Sequence, residues 1–138
     1  MKTKRSKLER RWPNHRELRK AIARGVECRF LEITDGYIPA SRCLIATTPD
    51  MGFPIGTVWY ALRDSSTVCE ILTSYVEPWA RRLGVRTALH RALVQGYPAV
   101  ETIVTDSALS KASRKWMKRQ GYRRTAAGWR LEVKRKER

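Results

Sequence analysis

The chain has 138 residues, of which 29 are Lys or Arg and 13 are Asp or Glu, so its formal net charge at pH 7 is +16. This length suits one domain with a single core, and a hydrophobic content of 42% favours a globular chain over a disordered one. No apolar run is long enough for a signal peptide or a membrane span, so we expect a cytoplasmic protein without a membrane partner.

The positive charge exceeds what a small ligand requires, and it is spread over both ends of the chain. Such an excess indicates a larger anionic partner, either RNA or the ribosome or an acidic protein. The alternative is a cationic surface that serves solubility alone. Both interpretations stay open at the level of composition.

Three cysteines, Cys28, Cys43 and Cys69, are widely spaced along the chain. Their odd number argues against a disulfide framework, and no His or Cys stands near them at the spacing of metal ligands. We therefore predict buried thiols and no metal site.

Residues 1–25 form a basic segment with two helix-start signals. Ser6-x-x-Glu9 and Asn14-x-x-Glu17 both have the pattern of a capping box. Leu18, Ala21 and Ile22 share one helical face before Gly25. The pattern predicts a short helical turn followed by a longer helix.

The next part of the chain is rich in strand signals. Residues 26–33 are predicted to be extended, and residues 42–48 and 55–62 are predicted strands joined by the turn at 49–52. A further turn at 64–66 leads to the β-branched run at 71–76. This order predicts consecutive antiparallel strands.

A basic turn follows the run at 71–76. Pro78 ends the strand, and the apolar positions from Val85 onward recur at helical spacing until Gly96 and Pro98. Between them lies Arg81-Arg82-Leu83-Gly84. Its Gly permits a close approach of the backbone, and the unpaired N–H groups at a helix start attract anions, so the turn suits a phosphate.

Residues 100–105 form another β-branched strand, which a helical crossover makes parallel to the strand at 71–76. A helix is predicted to start at Asp106 or Ser107, with Leu109, Ala112 and Trp116 on its buried side. Residues 122–125 and 129–133 are predicted to form a closing hairpin before the basic tail at 134–138.

Two of these segments resemble the signatures of the GNAT superfamily of N-acetyltransferases. Arg81-x-x-Gly84-x-Arg86 is similar to the acyl-CoA-binding motif [QR]-x-x-G-x-[GA], and residues 110–122 are similar to the second signature N-x-x-A-x-x-L-Y-E-K-x-G-F. The resemblance covers residues 42–133. It implies one α/β (α+β) domain over 1–138, with a mixed, mostly antiparallel sheet, a splayed central strand and helices on both faces.

The resemblance also implies acetyl-CoA as cosubstrate. Backbone groups around Ser74 to Val76 would pair with the pantetheine arm, and the amides of the basic turn would hold the pyrophosphate. The cofactor-binding residues so implied are Ser74, Val76, Arg81, Arg82, Leu83, Gly84, Val85, Arg86, Thr87 and Ser113. Arg86 replaces the small residue of the motif and either crowds the phosphate or adds a charged contact to it.

Two residues are candidates for proton transfer. Glu70 stands at the same separation from Gly84 as the catalytic glutamate of the histone-acetylating branch, and the alternative is a solvated residue at a strand end. Met117 replaces the tyrosine that protonates the leaving thiolate in many members, and a thioether has no proton to donate. Ser110 or a water would then take that role. We expect His90 to be a surface residue.

The function implied is acetyl transfer from acetyl-CoA to a primary amine by direct attack. A basic protein repels lysine-rich peptides, which favours an amine on an anionic macromolecule, such as aminoacyl-tRNA, or on a protein bound to nucleic acid. Acetylation of a small amine remains open, as does a monomer or a homodimer. The alternative is a catalytically weakened GNAT-fold binding module that contacts RNA or an acidic protein.

Overall fold

A computed structural model describes residues 14–31, 41–49, 52–106 and 110–135. These residues form three α-helices and a seven-stranded sheet with the strand order β1-β2-β3-β4-β5-β7-β6. The elements are α1 (His15–Arg24), β1 (Glu27–Leu31), β2 (Ser41–Thr47), β3 (Pro54–Arg63), β4 (Val68–Val76), α2 (Val85–Gly96), β5 (Thr102–Thr105), α3 (Lys111–Gln120), β6 (Arg123–Thr125) and β7 (Gly128–Glu132). No helix among them is long and apolar enough to cross a membrane.

The sheet is mixed and mostly antiparallel, as the sequence predicted. Every neighbouring pair of strands is antiparallel except β4 and β5, which are parallel. The α2 crossover between them explains this exception, since parallel neighbours need a long connection.

The helix α1 begins where the second capping box predicted. The Asn14 side chain accepts a hydrogen bond of 2.9 Å from the Glu17 backbone N–H, and Leu18, Ala21 and Ile22 are buried. The first capping box, at residues 6–9, lies outside the described residues. At its start α1 meets the 3-10 turn Pro78–Ala80, where the His15 ring stacks on Trp79 at 5.0 Å. This contact places the N-terminal helix beside the basic turn.

The helix α2 packs closely on one face of the central strands. A Cβ at Gly56 of β3 would lie 3.1 Å from Val85 and 3.2 Å from Leu89, so the helix can approach only because a glycine stands there. Val58 and Tyr60 point to the same face and are buried. The core therefore lies between this face of the sheet and the helix.

The three cysteines fit the expectation of inert thiols. Cys43 and Cys69 are buried and Cys28 is half-buried. Burial raises the pKa of all three, that of Cys69 to about 12. All three thiols therefore stay protonated at neutral pH.

The strand β4 extends beyond its neighbour β5, whose four residues are all paired with it. They pair only over Val68–Ile71 and Thr102–Thr105. β4 then continues to Val76 along β3, with a bulge at Leu72, which has no partner between Ile71 and Thr73. Beyond Ile71 the edge of β4 on the β5 side therefore has no strand partner among the described residues, and we call the space along this edge, past the end of β5, the gap between β4 and β5. The splay of the central strand stays a prediction.

The prediction for the start of α3 was wrong. Ser110 is the N-cap, accepting a hydrogen bond of 3.0 Å from the Ser113 N–H, and Asp106 lies outside the helix. Residues 107–109, which include the predicted Leu109, lie outside the described residues. Ala112 is exposed, and Met117 is the buried residue at 1% exposure. Trp116 is half-buried against the core, as predicted, and the β6–β7 hairpin that follows also agrees with the prediction.

Candidate active site

The turn at 81–84 presents backbone N–H groups at the start of α2. Gly84 is the N-cap in the left-handed conformation (φ 83°), and Arg82 also has a positive φ of 67°. No side chain caps α2, and its first turn carries no acidic residue. The first N–H groups of a helix lack intrahelical acceptors, so this uncapped end is suited to an anion.

Local contacts hold the turn in this shape. The Arg81 Nε donates to the Val76 carbonyl at 3.2 Å, and Val85 is buried at 2% exposure. Leu83 packs against the core, whereas Arg81 and Arg82 are exposed. A non-glycine residue at a positive φ costs about 1 kcal/mol, so the tertiary contacts around Arg82 maintain a strained backbone next to the site.

The edge of β4 that faces the gap leads directly to this turn. Beyond Ile71, β4 has a strand partner only on the β3 side among the described residues. Ser74 and Val76 pair with Val58 and Gly56, so they share the α2 face of the sheet. The free edge offers N–H and C=O groups to an extended ligand that adds alongside the strand.

Glu70 lies on the opposite face of the sheet. It pairs in register with Ala61 and Val104, and its carboxylate forms an ion pair with Arg63. The Glu70 side chain is 28% exposed. Tyr75, further along β4, is exposed on the same face as Glu70. The predicted site residues therefore lie on two faces of the sheet. Ser74 and Val76 lie on the α2 face, and Glu70 lies on the opposite face.

Arg86 is directed toward α3. Its Nη1 donates to the Ser113 hydroxyl at 2.6 Å, and its Cζ lies 4.3 Å from the centre of the Trp116 ring. The Trp116 indole N–H donates to the Thr87 hydroxyl at 3.0 Å. The side chains of Arg86, Thr87 and Ser113 therefore join α2 to α3, and burial lowers the pKa of the Arg86 guanidinium.

The expectation for His90 was wrong, because its ring is half-buried and packs against α3 rather than standing on the surface. It contacts the rings of Trp116 and Tyr122 and shares a hydrogen bond of 2.8 Å with the Tyr122 hydroxyl. Burial, with a smaller contribution from Arg86, lowers the pKa of His90 to about 4. The helical pattern of α2 did not reveal this, since α3 covers a second side of the helix.

Met117 occupies the position of the signature's tyrosine, and Ser110, at the position of its asparagine, is the substitute proton donor predicted from the sequence. The Ser110 oxygen accepts from the Ser113 N–H, which leaves its own hydroxyl proton available to an outside acceptor. Met117 is buried at 1% exposure and belongs to the core.

The residues present fit coenzyme A. The uncapped N–H groups of α2 suit the pyrophosphate, and space is open where a Cβ of Gly84 would project, with no atom within 4 Å. The free edge of β4 suits an extended amide-containing arm. Because Arg86 is held by Trp116 and Ser113, its side chain does not fill that space.

Solved structures with the same fold are acetyltransferases. YhhK from E. coli, described as an N-acetyl transferase and solved bound to coenzyme A, superposes with a TM-score of 0.64 at 16% identity over 78% of this chain and 98% of its own. Ard1 from Thermoplasma volcanium superposes with a TM-score of 0.56 at 16% identity, over 76% of this chain and 93% of its own. Arabidopsis thaliana NAA60, solved in complex with a bisubstrate analogue, superposes with a TM-score of 0.51 at 21% identity, over 62% of this chain and 63% of its own.

No family model matches the sequence, and no curated protein matches it. Similarities at these identities establish the fold alone. The chain has the fold of GNAT acetyltransferases that its two signatures predicted. A protein from Desulfovibrio desulfuricans that is described as a member of the GNAT family superposes on it with a TM-score of 0.62 at 15% identity.

Proposed function

We propose that this protein is an acetyl-CoA-dependent N-acetyltransferase that transfers an acetyl group to a primary amine. The observation that carries the proposal is the gap between β4 and β5, whose free strand edge ends at the uncapped start of α2. An extended acyl-CoA would lie along that edge with its pyrophosphate at the turn. Holding two reactants in this way lowers the entropic barrier of the transfer.

Acetyl-CoA supplies an activated thioester to this site. The backbone around Ser74 to Val76 would orient it, and an N–H directed at the carbonyl oxygen would stabilise negative charge on that oxygen. During transfer a bond forms between the amine nitrogen and the carbonyl carbon while the bond from that carbon to sulfur breaks. The amine loses one proton, and the thiolate gains one.

Glu70 is the proposed acceptor of the amine proton. Its carboxylate lies beside the gap on the face opposite α2, so an amine arriving on that face would meet it while acetyl-CoA approaches from the other side. The ion pair with Arg63 fixes its orientation. Ser110, whose hydroxyl keeps a proton to donate, is the proposed donor of the proton that the thiolate gains.

The proposed acceptor is an amine on a macromolecule. Tyr75 is exposed on the Glu70 face, 48% of its surface being accessible, so the acceptor side is open. The net charge of +16 disfavours a lysine-rich peptide there and favours an amine carried on an anionic molecule or on a protein bound to one.

Replacement of the candidate base tests the chemistry. We expect Glu70→Gln to lower kcat by about 100-fold and to leave the KM for acetyl-CoA unchanged, because a general base contributes to the transition state and not to cofactor binding. Steady-state kinetics with released thiol as the readout, recorded from pH 6 to pH 9, would measure this. Glu101→Gln, an exposed carboxylate elsewhere, is the matched control. An unchanged rate and pH profile in Glu70→Gln would remove Glu70 from the mechanism.

A further inference from the structure

The helix α3 and the β6–β7 hairpin carry a concentration of positive charge that acetyl-CoA does not require. Residues 111–132 contain eight Lys or Arg and one acidic residue, Glu132. Five of the eight cations lie on α3 and three lie on the hairpin. We call these residues the α3–hairpin surface.

The charges on α3 repel one another. Its ten residues include no acid, and Lys111 and Lys115 are one helical turn apart, a spacing at which like charges destabilise a helix. Lys118 and Arg119 in the last turn complement the helix dipole, but Lys111, the first residue of α3, stands at the end where a cation is unfavourable. Helix stability therefore does not explain the N-terminal lysines.

The hairpin repeats this arrangement on a strand pair. Arg123 of β6 lies directly opposite Arg130 of β7, and like charges in that register destabilise a sheet. Glu132 partly neutralises Arg130 through a contact of 2.6 Å. No acidic residue in the described chain pairs with Arg123 or Arg124, and both are exposed.

A cleft of about 340 Å³ lies between α3 and the hairpin. Arg114, Arg124, Trp129 and one acidic residue, Asp106, line it together with the turn at 125–128. This volume falls in the range of small-molecule sites. Guanidinium groups suit bidentate contacts to a phosphate, whereas Trp129 is buried at 6% exposure and forms part of the cleft wall.

We propose that the α3–hairpin surface binds the phosphate backbone of a nucleic acid. Repulsion that destabilises both a helix and a strand pair is relieved when phosphates lie between the cations. Five of the eight cations are arginines, whose planar guanidinium matches phosphate geometry. An acidic protein is the other partner that would satisfy this charge, and poly-glutamate represents it in the experiment. This inference does not depend on the proposed acetyl transfer.

Fluorescence anisotropy with a labelled 20-nucleotide single-stranded RNA, and with DNA of the same sequence, tests the proposal. The surface variant is Lys111→Gln, Lys115→Gln and Arg123→Gln combined. The matched control is Arg16→Gln, Arg19→Gln and Lys20→Gln on exposed positions of α1. Each variant removes three positive charges, so that both have a formal net charge of +13 against +16.

We expect the surface variant to bind RNA at least tenfold more weakly than wild type, and the α1 control to bind it less than threefold more weakly. The slope of log K against log salt should shrink by about 0.7 for each lost phosphate contact. Equal affinities for DNA and RNA mean that the protein contacts only the phosphates. A higher affinity for RNA means that it also contacts the 2′-hydroxyl groups. Both of these results support the proposal.

Three results would overturn it: no RNA binding by wild type at 50 mM salt, equal losses in the two variants, or equally tight binding of poly-glutamate of the same length. Acetyl-CoA binding by calorimetry is measured on all three proteins. If it persists while RNA binding is absent, this inference fails and the proposed acetyl transfer is unaffected.

Discussion

Arg86 stands where the acyl-CoA motif has a small residue, yet its side chain packs on Trp116 and does not occupy the open space at Gly84. The guanidinium makes a cation–π contact at 4.3 Å and a hydrogen bond of 2.6 Å to Ser113. The two possibilities that the sequence left open, crowding or an added phosphate contact, both assume a side chain directed at the turn. In the structure it joins two helices instead.

We expect Arg86→Ala to lower the free energy of unfolding by about 2 kcal/mol, because it removes a charged hydrogen bond and a stacked contact. Acetyl-CoA affinity should change by less than about threefold, since the side chain lies away from the turn. Urea unfolding and calorimetry measure the two effects, with the exposed Arg91→Ala on the same helix as control. A tenfold tighter or weaker complex at unchanged stability would show that Arg86 acts on the phosphate.

His90 makes the same region sensitive to pH. Its pKa is near 4 when folded, against an ordinary value of 6.5, so between these values the unfolded chain binds one more proton than the folded chain. Stability therefore falls as the pH is lowered from 6.5 toward 4, by about 1.4 kcal/mol per pH unit.

Urea unfolding at pH 7 and pH 5 tests this directly. The loss of stability between the two should be smaller in His90→Gln, which cannot titrate, than in wild type, while carboxylate effects are common to both. The same pH dependence in both proteins would mean that His90 protonates freely in the folded state.

At the scale of elements, the C-terminal end of α2 is held by the tail of the chain. The Arg135 guanidinium donates to the carbonyls of Val94, Tyr97 and Val100 at 3.2, 2.8 and 2.9 Å. The Val94 carbonyl lies in the last turn of α2, where carbonyls lack intrahelical partners, whereas Tyr97 and Val100 lie after the helix and the Tyr97 carbonyl also accepts from the Val100 N–H. A cation placed there complements the helix dipole. This part of the basic tail therefore has a structural role.

Removal of this cap should loosen α2. We expect Arg135→Ala to lower the free energy of unfolding by about 2 kcal/mol, whereas Lys134→Ala, at an exposed neighbouring position, should have an effect within about 0.5 kcal/mol. Thermal unfolding followed by circular dichroism measures both. Equal small effects would mean that the three carbonyls are satisfied as well by water.

Sequence periodicity predicted α2 and β4 because each buries one face against the same core. The start of α3 was missed because Asp106, Ser107 and Ser110 all suit an N-cap, and only the contact from Ser110 to the Ser113 N–H selects one. His90 was misplaced because α3 packs on a side of α2 that a one-faced helical pattern leaves polar. The positive φ of Arg82 has no signal in residue type.

At the scale of the whole molecule, the mixed sheet separates the face that carries α2 and its uncapped start from the face that carries Glu70 and Tyr75. The gap between β4 and β5 connects the two, and the bulge at Leu72 lies at its opening. The central claim is that the gap and the turn at 81–84 bind acetyl-CoA.

Titration calorimetry with acetyl-CoA tests that claim most directly. We expect wild type to bind with a dissociation constant in the micromolar range, and Gly84→Ala to bind at least tenfold more weakly, because its methyl group enters the open space at the turn and strains a positive φ. Gly52→Ala, which has the same backbone strain at φ 60° in another turn, is the matched control and should bind like wild type. No heat of binding at millimolar acetyl-CoA, or equal affinity in Gly84→Ala and wild type, would contradict the account.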